Sequence, residues 1–191
     1  TQTTYQFTVQ PSEISVDRPP IEKALGYKKG TTPLVVSNLI DDVLPHVPDY
    51  VDVKCGFTIL PAEMVRVSDG SISCDGVTFT TGSLIAKRMR KARTVALFAA
   101  SVGPGLEQWS RELMAGPDTV KGYIVDAIAS GAVEEVADWL EDKVEETVLP
   151  LGWRITNRYS PGHCDWSVAE QHKLFSFFPE QFCGIYLTPT A

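Results

Sequence analysis

Apolar and polar residues alternate one for one in YQFTVQ, residues 5–10, which predicts an opening strand with one buried face. Two short helices are expected next, each with proline near its first turn. RPPIEKALGY has Pro20 at its start and Gly26 near its end; TTPLVVSNLIDDVL has Thr32 as N-cap and Pro33 at the first helical position. From Tyr50 to Thr81 the period shortens. VDVKCGFTIL, MVRVSDGSISC and DGVTFTT are rich in Val, Ile, Thr and Phe, and their two DG pairs mark tight turns of a meander or antiparallel ribbon. TGSLIAKRMRKA then reads as a helix, TVALFAAS as a strand, and VGPG as a turn into the helix LEQWSRELM.

The longest periodic run begins at Asp118, which can cap a helix reaching about Val148. Val120, Ile124, Ile128, Val133, Val136, Leu140 and Val144 keep one apolar stripe along it. About thirty residues at helical rise span roughly 45 Å. Pro150 and Gly152 end it, and WRITNRY is expected to be a strand leading into NRYSPGHCDW. SVAE then offers a capping box through Ser167 and Glu170, opening a helix that stops before Pro179, and FCGIYLT is expected as a closing strand. With no repeat or linker-like stretch, the pattern describes one α+β domain over residues 1–191.

Composition narrows the function. Hydrophobic residues make up 43% of 191, enough for a substantial core, while 17 basic and 24 acidic side chains leave a net charge of −7. That field disfavours nucleic acid or an anionic membrane as the main partner, and no apolar run approaches the roughly 20 residues of a membrane span. Four scattered cysteines without a C-x-x-C pair, and an N-terminus without a secretory pattern, read as a cytoplasmic chain with free thiols.

Several stretches bear on chemistry. VALFAASVGPGLEQW has the strand–glycine turn–helix order of a phosphate loop, but lacks both G-x-G-x-x-G and G-K-[ST], and Pro104 removes an amide. Lys87, Arg88, Arg90, Lys91 and Arg93 form the one dense positive run, either a solvated helix face or a surface that steers an acidic protein. Acidic residues line the long helix, where Glu134 lies beside the apolar stripe and near Gly131, a mid-helix glycine that costs roughly 1 kcal/mol unless something packs closely there. A metal reading of the NRYSPGHCDW bend would use His163, Cys164, Asp165 and His172, but the three neighbours would diverge, so a metal set or a Cys–His dyad fits poorly. A ligand clamp fits better. Arg158 offers a planar fork for a carboxylate, Ser160 and Gly162 expose main chain, and His163 can stack on a flat heterocycle. The same residues would also serve an ordinary turn.

RYSPGHCDW together with EQHKLF resembles the S-adenosylmethionine motif of the activation domain of cobalamin-dependent methionine synthases, in particular its short stand-alone relatives. EKALGYKKG, TVALFAASVG and KGYIVDAIASGAVEEVADWLEDKV agree in order, so the resemblance runs from about Pro20 to Phe178. It implies an α+β domain with a twisted antiparallel sheet and flanking helices. It also implies a component of methionine biosynthesis that binds S-adenosylmethionine and supports reductive methylation of cobalamin, the cobalamin being supplied by a methionine synthase or related corrinoid protein and the electron by a flavodoxin-type donor. Carried over, Arg158 meets the ligand carboxylate, Ser160 acts through its backbone, Gly162 is the motif glycine, and Glu134 receives the amino group. His163 departs from the tyrosine usual after that glycine, and no Asp-x-His-x-x-Gly cobalamin sequence is present. A non-catalytic adaptor of the same fold, which binds a corrinoid protein without the ligand, is the alternative.

Overall fold

A computed structural model describes residues 3–189. The chain is α+β, with two small antiparallel three-stranded sheets and flanking helices. β1 (Thr4–Val9), β2 (Val53–Pro61) and β6 (Thr94–Ser101) form one sheet in the order β1-β2-β6. β3 (Met64–Arg66), β4 (Ser71–Cys74) and β5 (Val77–Thr80) form the other, in chain order. The helices are α1 (Arg18–Ala24), α2 (Leu34–Val43), α3 (Ser83–Met89), α4 (Gly105–Ala115), α5 (Thr119–Val148) and α6 (Gln171–Phe175). Two compact units result. The first comprises residues 1–6, 56–99 and 142–191, and the second residues 7–55 and 100–141.

In the first unit the meander pairs Cys74 with Val77 and Ile72 with Phe79. Asp75 and Gly76 sit at φ 46° and 74° between β4 and β5, the left-handed pair that a two-residue hairpin requires. Its apolar face joins Leu60, Ile85, Val95, Leu97, Trp166, Phe178 and Phe182 in one core. Phe178 stacks on Phe182 at 4.3 Å, and Phe79 meets the Trp166 indole edge-on at 5.9 Å. Gly56 permits a close approach within the same unit: a Cβ there would lie 2.4 Å from the Tyr5 carbonyl oxygen and 2.5 Å from the Phe182 ring.

In the second unit Ile40, Val43, Ile124, Val125, Ile128 and Val136 are buried. Arg18 clasps α1 to α2, donating to Glu22, to Asp41 at 2.5 Å and to the Ser37 carbonyl at 2.8 Å; Asp41 and then Glu22 raise its pKa. The α5 stripe differs from its expected register. Val120 is 59% exposed and Ala132, rather than Val133, is buried, because a helix of thirty residues follows a 3.6-residue period that drifts off any fixed spacing. Gly131 answers the question its position raised: a Cβ there would stand 3.2 Å from Val16.

Four local expectations are corrected. Helix α2 is preceded by Pro33 as N-cap, not Thr32, and without a side-chain cap bond; the fixed proline φ accommodates the extended entry. WRITNRY forms no strand, since strand-forming residues need a neighbouring edge to complete their backbone bonds. Ser167 accepts from the Ala169 amide at 3.3 Å, but Glu170 reaches the Thr80 amide at 2.8 Å rather than back to Ser167, so no capping box closes. FCGIYLT begins as a 3-10 turn, Phe182–Gly184, because Gln181, Cys183 and Gly184 all take positive φ and cannot extend.

Candidate functional site

The bend is built from the end of α5. A 3-10 turn, Leu149–Leu151, stops at Gly152 in the left-handed region, and the chain then runs without regular structure to Ser160. Tyr159 packs against the first unit's core and Trp166 is buried in it, so the bend is anchored at both ends while its tip stays outside. Between these anchors the turn closes on itself. Gly162, at φ 96°, donates its N–H to the Trp166 carbonyl at 2.7 Å; His163 N–H donates to the Ser160 carbonyl and Trp166 N–H to the His163 carbonyl, both at 3.1 Å. The Ser160 hydroxyl and His163 Nδ1 are 2.5 Å apart. This bond orients the ring and leaves Nε2 directed away from Ser160.

These contacts revise the clamp. The amides of Gly162 and His163 are engaged inside the turn, so they are not the main-chain donors expected for a ligand. The bend presents instead the exposed imidazole of His163 and the Cα face of Gly162, where a Cβ would come within 3.2 Å of Val168, and Arg158 is half-buried at its entry. Ser160 acts through both its carbonyl and its hydroxyl, which hold His163. Cys164 is exposed at φ 54°.

Two supports were not foreseen. Asp165 seats the bend on Gly82, where a Cβ would lie 2.8 Å from the aspartate Cβ. Glu170 and Lys173 then pin α6 to β5, through Thr80 N–H and the Thr78 carbonyl at 2.9 Å. Asp165 and Gly82 carry no local pattern that announces a contact across eighty residues. The Trp166 Nε1 is buried with no partner among the described residues, a cost of about 1–3 kcal/mol that good ring packing must offset.

Glu134 belongs to the second unit, on the exposed side of α5. At its neighbour Glu135, desolvation, with help from Asp138 and Asp17, raises the pKa. The second unit also contains an apolar cavity of about 240 Å³ lined by Val16, Val47, Val53, Val102 and Ala132, with Ser15 as its one polar side chain. A lining without charge is poorly suited to a zwitterion.

The other candidates resolve structurally. VGPG is filled by protein, since Gly105 faces the Tyr50 carbonyl so closely that a Cβ would lie 2.1 Å from its oxygen. Tyr50 stacks on Trp109 at 4.3 Å, and Asp52 N–H bonds the Val102 carbonyl. None of the four cysteines is in a disulfide; burial pushes Cys55 and Cys74 up to about 11, which makes them poor nucleophiles. Among the described residues no three His, Cys, Asp or Glu side chains gather as a metal set, and no helix is long and apolar enough to cross a membrane.

No family model matches this chain, and no curated protein matches it in sequence. Its fold is similar to that in the crystal structure of the MetH reactivation domain bound to AdoHcy, with a TM-score of 0.71 and 15% sequence identity over 98% of this chain and 74% of that one.

Proposed function

We propose that this chain is an S-adenosylmethionine-binding reactivation module, acting in the cytoplasm, that supports reductive methylation of cobalamin held by a separate methionine synthase or related corrinoid protein. The observation that carries this reading is a fold likeness spanning nearly the whole chain to a domain that binds AdoHcy, the demethylated form of the same ligand. The resemblance of RYSPGHCDW supports it independently. S-adenosylmethionine supplies an electrophilic methyl group, while a flavodoxin-type donor supplies the electron.

The chain's residues bind and orient; none acts as a covalent nucleophile. Arg158 holds the ligand carboxylate through paired donors. His163, steered by Ser160, presents a ring to the flat heterocycle, and the bare Cα of Gly162 admits that group closely.

Calorimetry with S-adenosylmethionine and S-adenosylhomocysteine tests the reading. Wild type binds both; Arg158→Ala weakens binding by about tenfold to a hundredfold, as expected when a charged hydrogen bond is lost. His163→Ala weakens it less, with circular dichroism reporting that each variant is folded. Absence of heat from wild type at millimolar ligand defeats the proposal.

A further inference from the structure

Five of the chain's cations, Lys87, Arg88, Arg90, Lys91 and Arg93, fall within seven residues at the end of α3 and just beyond it, and every one is exposed. Among the described residues none of the five pairs with a carboxylate. Elsewhere Arg18, Lys54, Arg66, Arg111, Lys121 and Lys173 each do. In a chain of net charge −7, carboxylates are abundant, so their absence from this patch leaves a local positive field uncompensated. Helix architecture accounts for part of it: Lys87 and Arg88 complement the negative end of α3, and Arg90 donates to the Lys87 carbonyl at 3.0 Å. It does not require five.

Leu84 is 49% exposed one turn before Lys87 and Arg88 on the same helix face, which puts an apolar side chain among the cations. The inner face is committed, with Ile85 and Ala86 fully buried. We propose that the outer face of α3 and the segment to Arg93 form a docking surface for an acidic protein partner that presents an apolar side chain to Leu84. Charge complementarity selects the partner and speeds encounter, while Leu84 supplies the desolvated centre. A membrane fits less well, because a helix with Ile85 and Ala86 turned into the protein has one apolar residue left to insert. Nucleic acid offers Leu84 no apolar side chain and meets a molecule of net negative charge.

The surface is independent of the ligand reading, so it is measured without S-adenosylmethionine. Fluorescence anisotropy follows a short labelled polyglutamate peptide with a central leucine, in parallel with plain polyglutamate, duplex DNA and phosphatidylserine vesicles. The leucine peptide should bind most tightly, and its binding should weaken with salt. Arg88→Glu/Arg90→Glu should cost at least about tenfold. Lys28→Glu/Lys29→Glu, an equal charge change at exposed lysines in the second unit, should retain binding. Leu84→Ser should abolish the preference for the leucine peptide. If circular dichroism shows the arginine reversal unfolded, Lys87→Gln/Lys91→Gln replaces it. Equal loss in the Lys28 and Lys29 variant, no binding to the leucine peptide, or tighter binding to DNA or vesicles overturns the proposal.

Discussion

Two glycine turns, one in each unit, show how the same local vocabulary can serve opposite ends. In the second unit VGPG is packed solid: Gly103 at φ 75° stands against Asp52, and Gly105 leaves no room between itself and the Tyr50 carbonyl. In the first unit SPGH is held by three backbone bonds and the Ser160–His163 contact, while its His163 and Cys164 side chains remain exposed. Protein fills the first turn. The second is restrained without being filled, which is the condition a binding bend needs: fixed geometry with open side chains.

Adding one methyl group to each turn tests this contrast most directly. Gly105→Ala forces a Cβ to 2.1 Å from a backbone oxygen, which cannot swing away, so a loss of about 3 kcal/mol or more is expected in denaturant unfolding. Gly162→Ala meets a movable Val168 methyl and bears mainly the left-handed backbone, costing about 1–2 kcal/mol. If Gly105→Ala proves the milder variant, the contrast between the turns is wrong.

Thiol chemistry provides the next test. Near pH 8 a disulfide reagent should label Cys164 rapidly, while Cys55, Cys74 and Cys183 react only on unfolding. Burial shields all three, and Cys55 and Cys74, pushed up to about 11, carry little thiolate. Rapid labelling of more than one cysteine would show that the core of at least one unit opens readily.

The smallest effect concerns Glu135 in the second unit, whose folded pKa is raised by burial and by Asp138 and Asp17. A carboxyl raised on folding favours the protonated form, so its contribution is fully present below the unfolded pKa and is lost as pH rises through the folded one. Glu135→Gln should therefore match wild type in acid and melt higher at neutral pH, by about 1–2 °C at most. A thermal scan across pH with no separation of the two curves would remove the desolvation claim.

Strand-forming composition had unequal value along the chain. MVRVSDGSISC and DGVTFTT became a ladder because DG turns return each strand against its predecessor within a few residues. WRITNRY and FCGIYLT, equally rich in such residues, did not. The former runs into a turn that leads to no strand, since residues 161–170 form only turns and a 3-10 segment, and the latter is broken by positive φ at Cys183 and Gly184. The bend itself was legible as a Pro-Gly turn holding a cation and an imidazole. Its internal hydrogen bonds were not, because they depend on where Trp166 lodges in the core.

Sequence by itself determined what rests on short-range rules: the α+β class, the long helix Thr119–Val148, the hairpin turn at Asp75 and Gly76, and the crowding of cations after Leu84. Only the tertiary structure decided which glycine turn is filled, that Asp165 rests on Gly82, that Glu170 bonds Thr80 across ninety residues, and that the cations of α3 lack carboxylate partners among the described residues. Periodicity and turn chemistry act over a few residues. Occupancy of a turn or pairing of a charge depends on segments far apart in the chain, and packing alone brings them together.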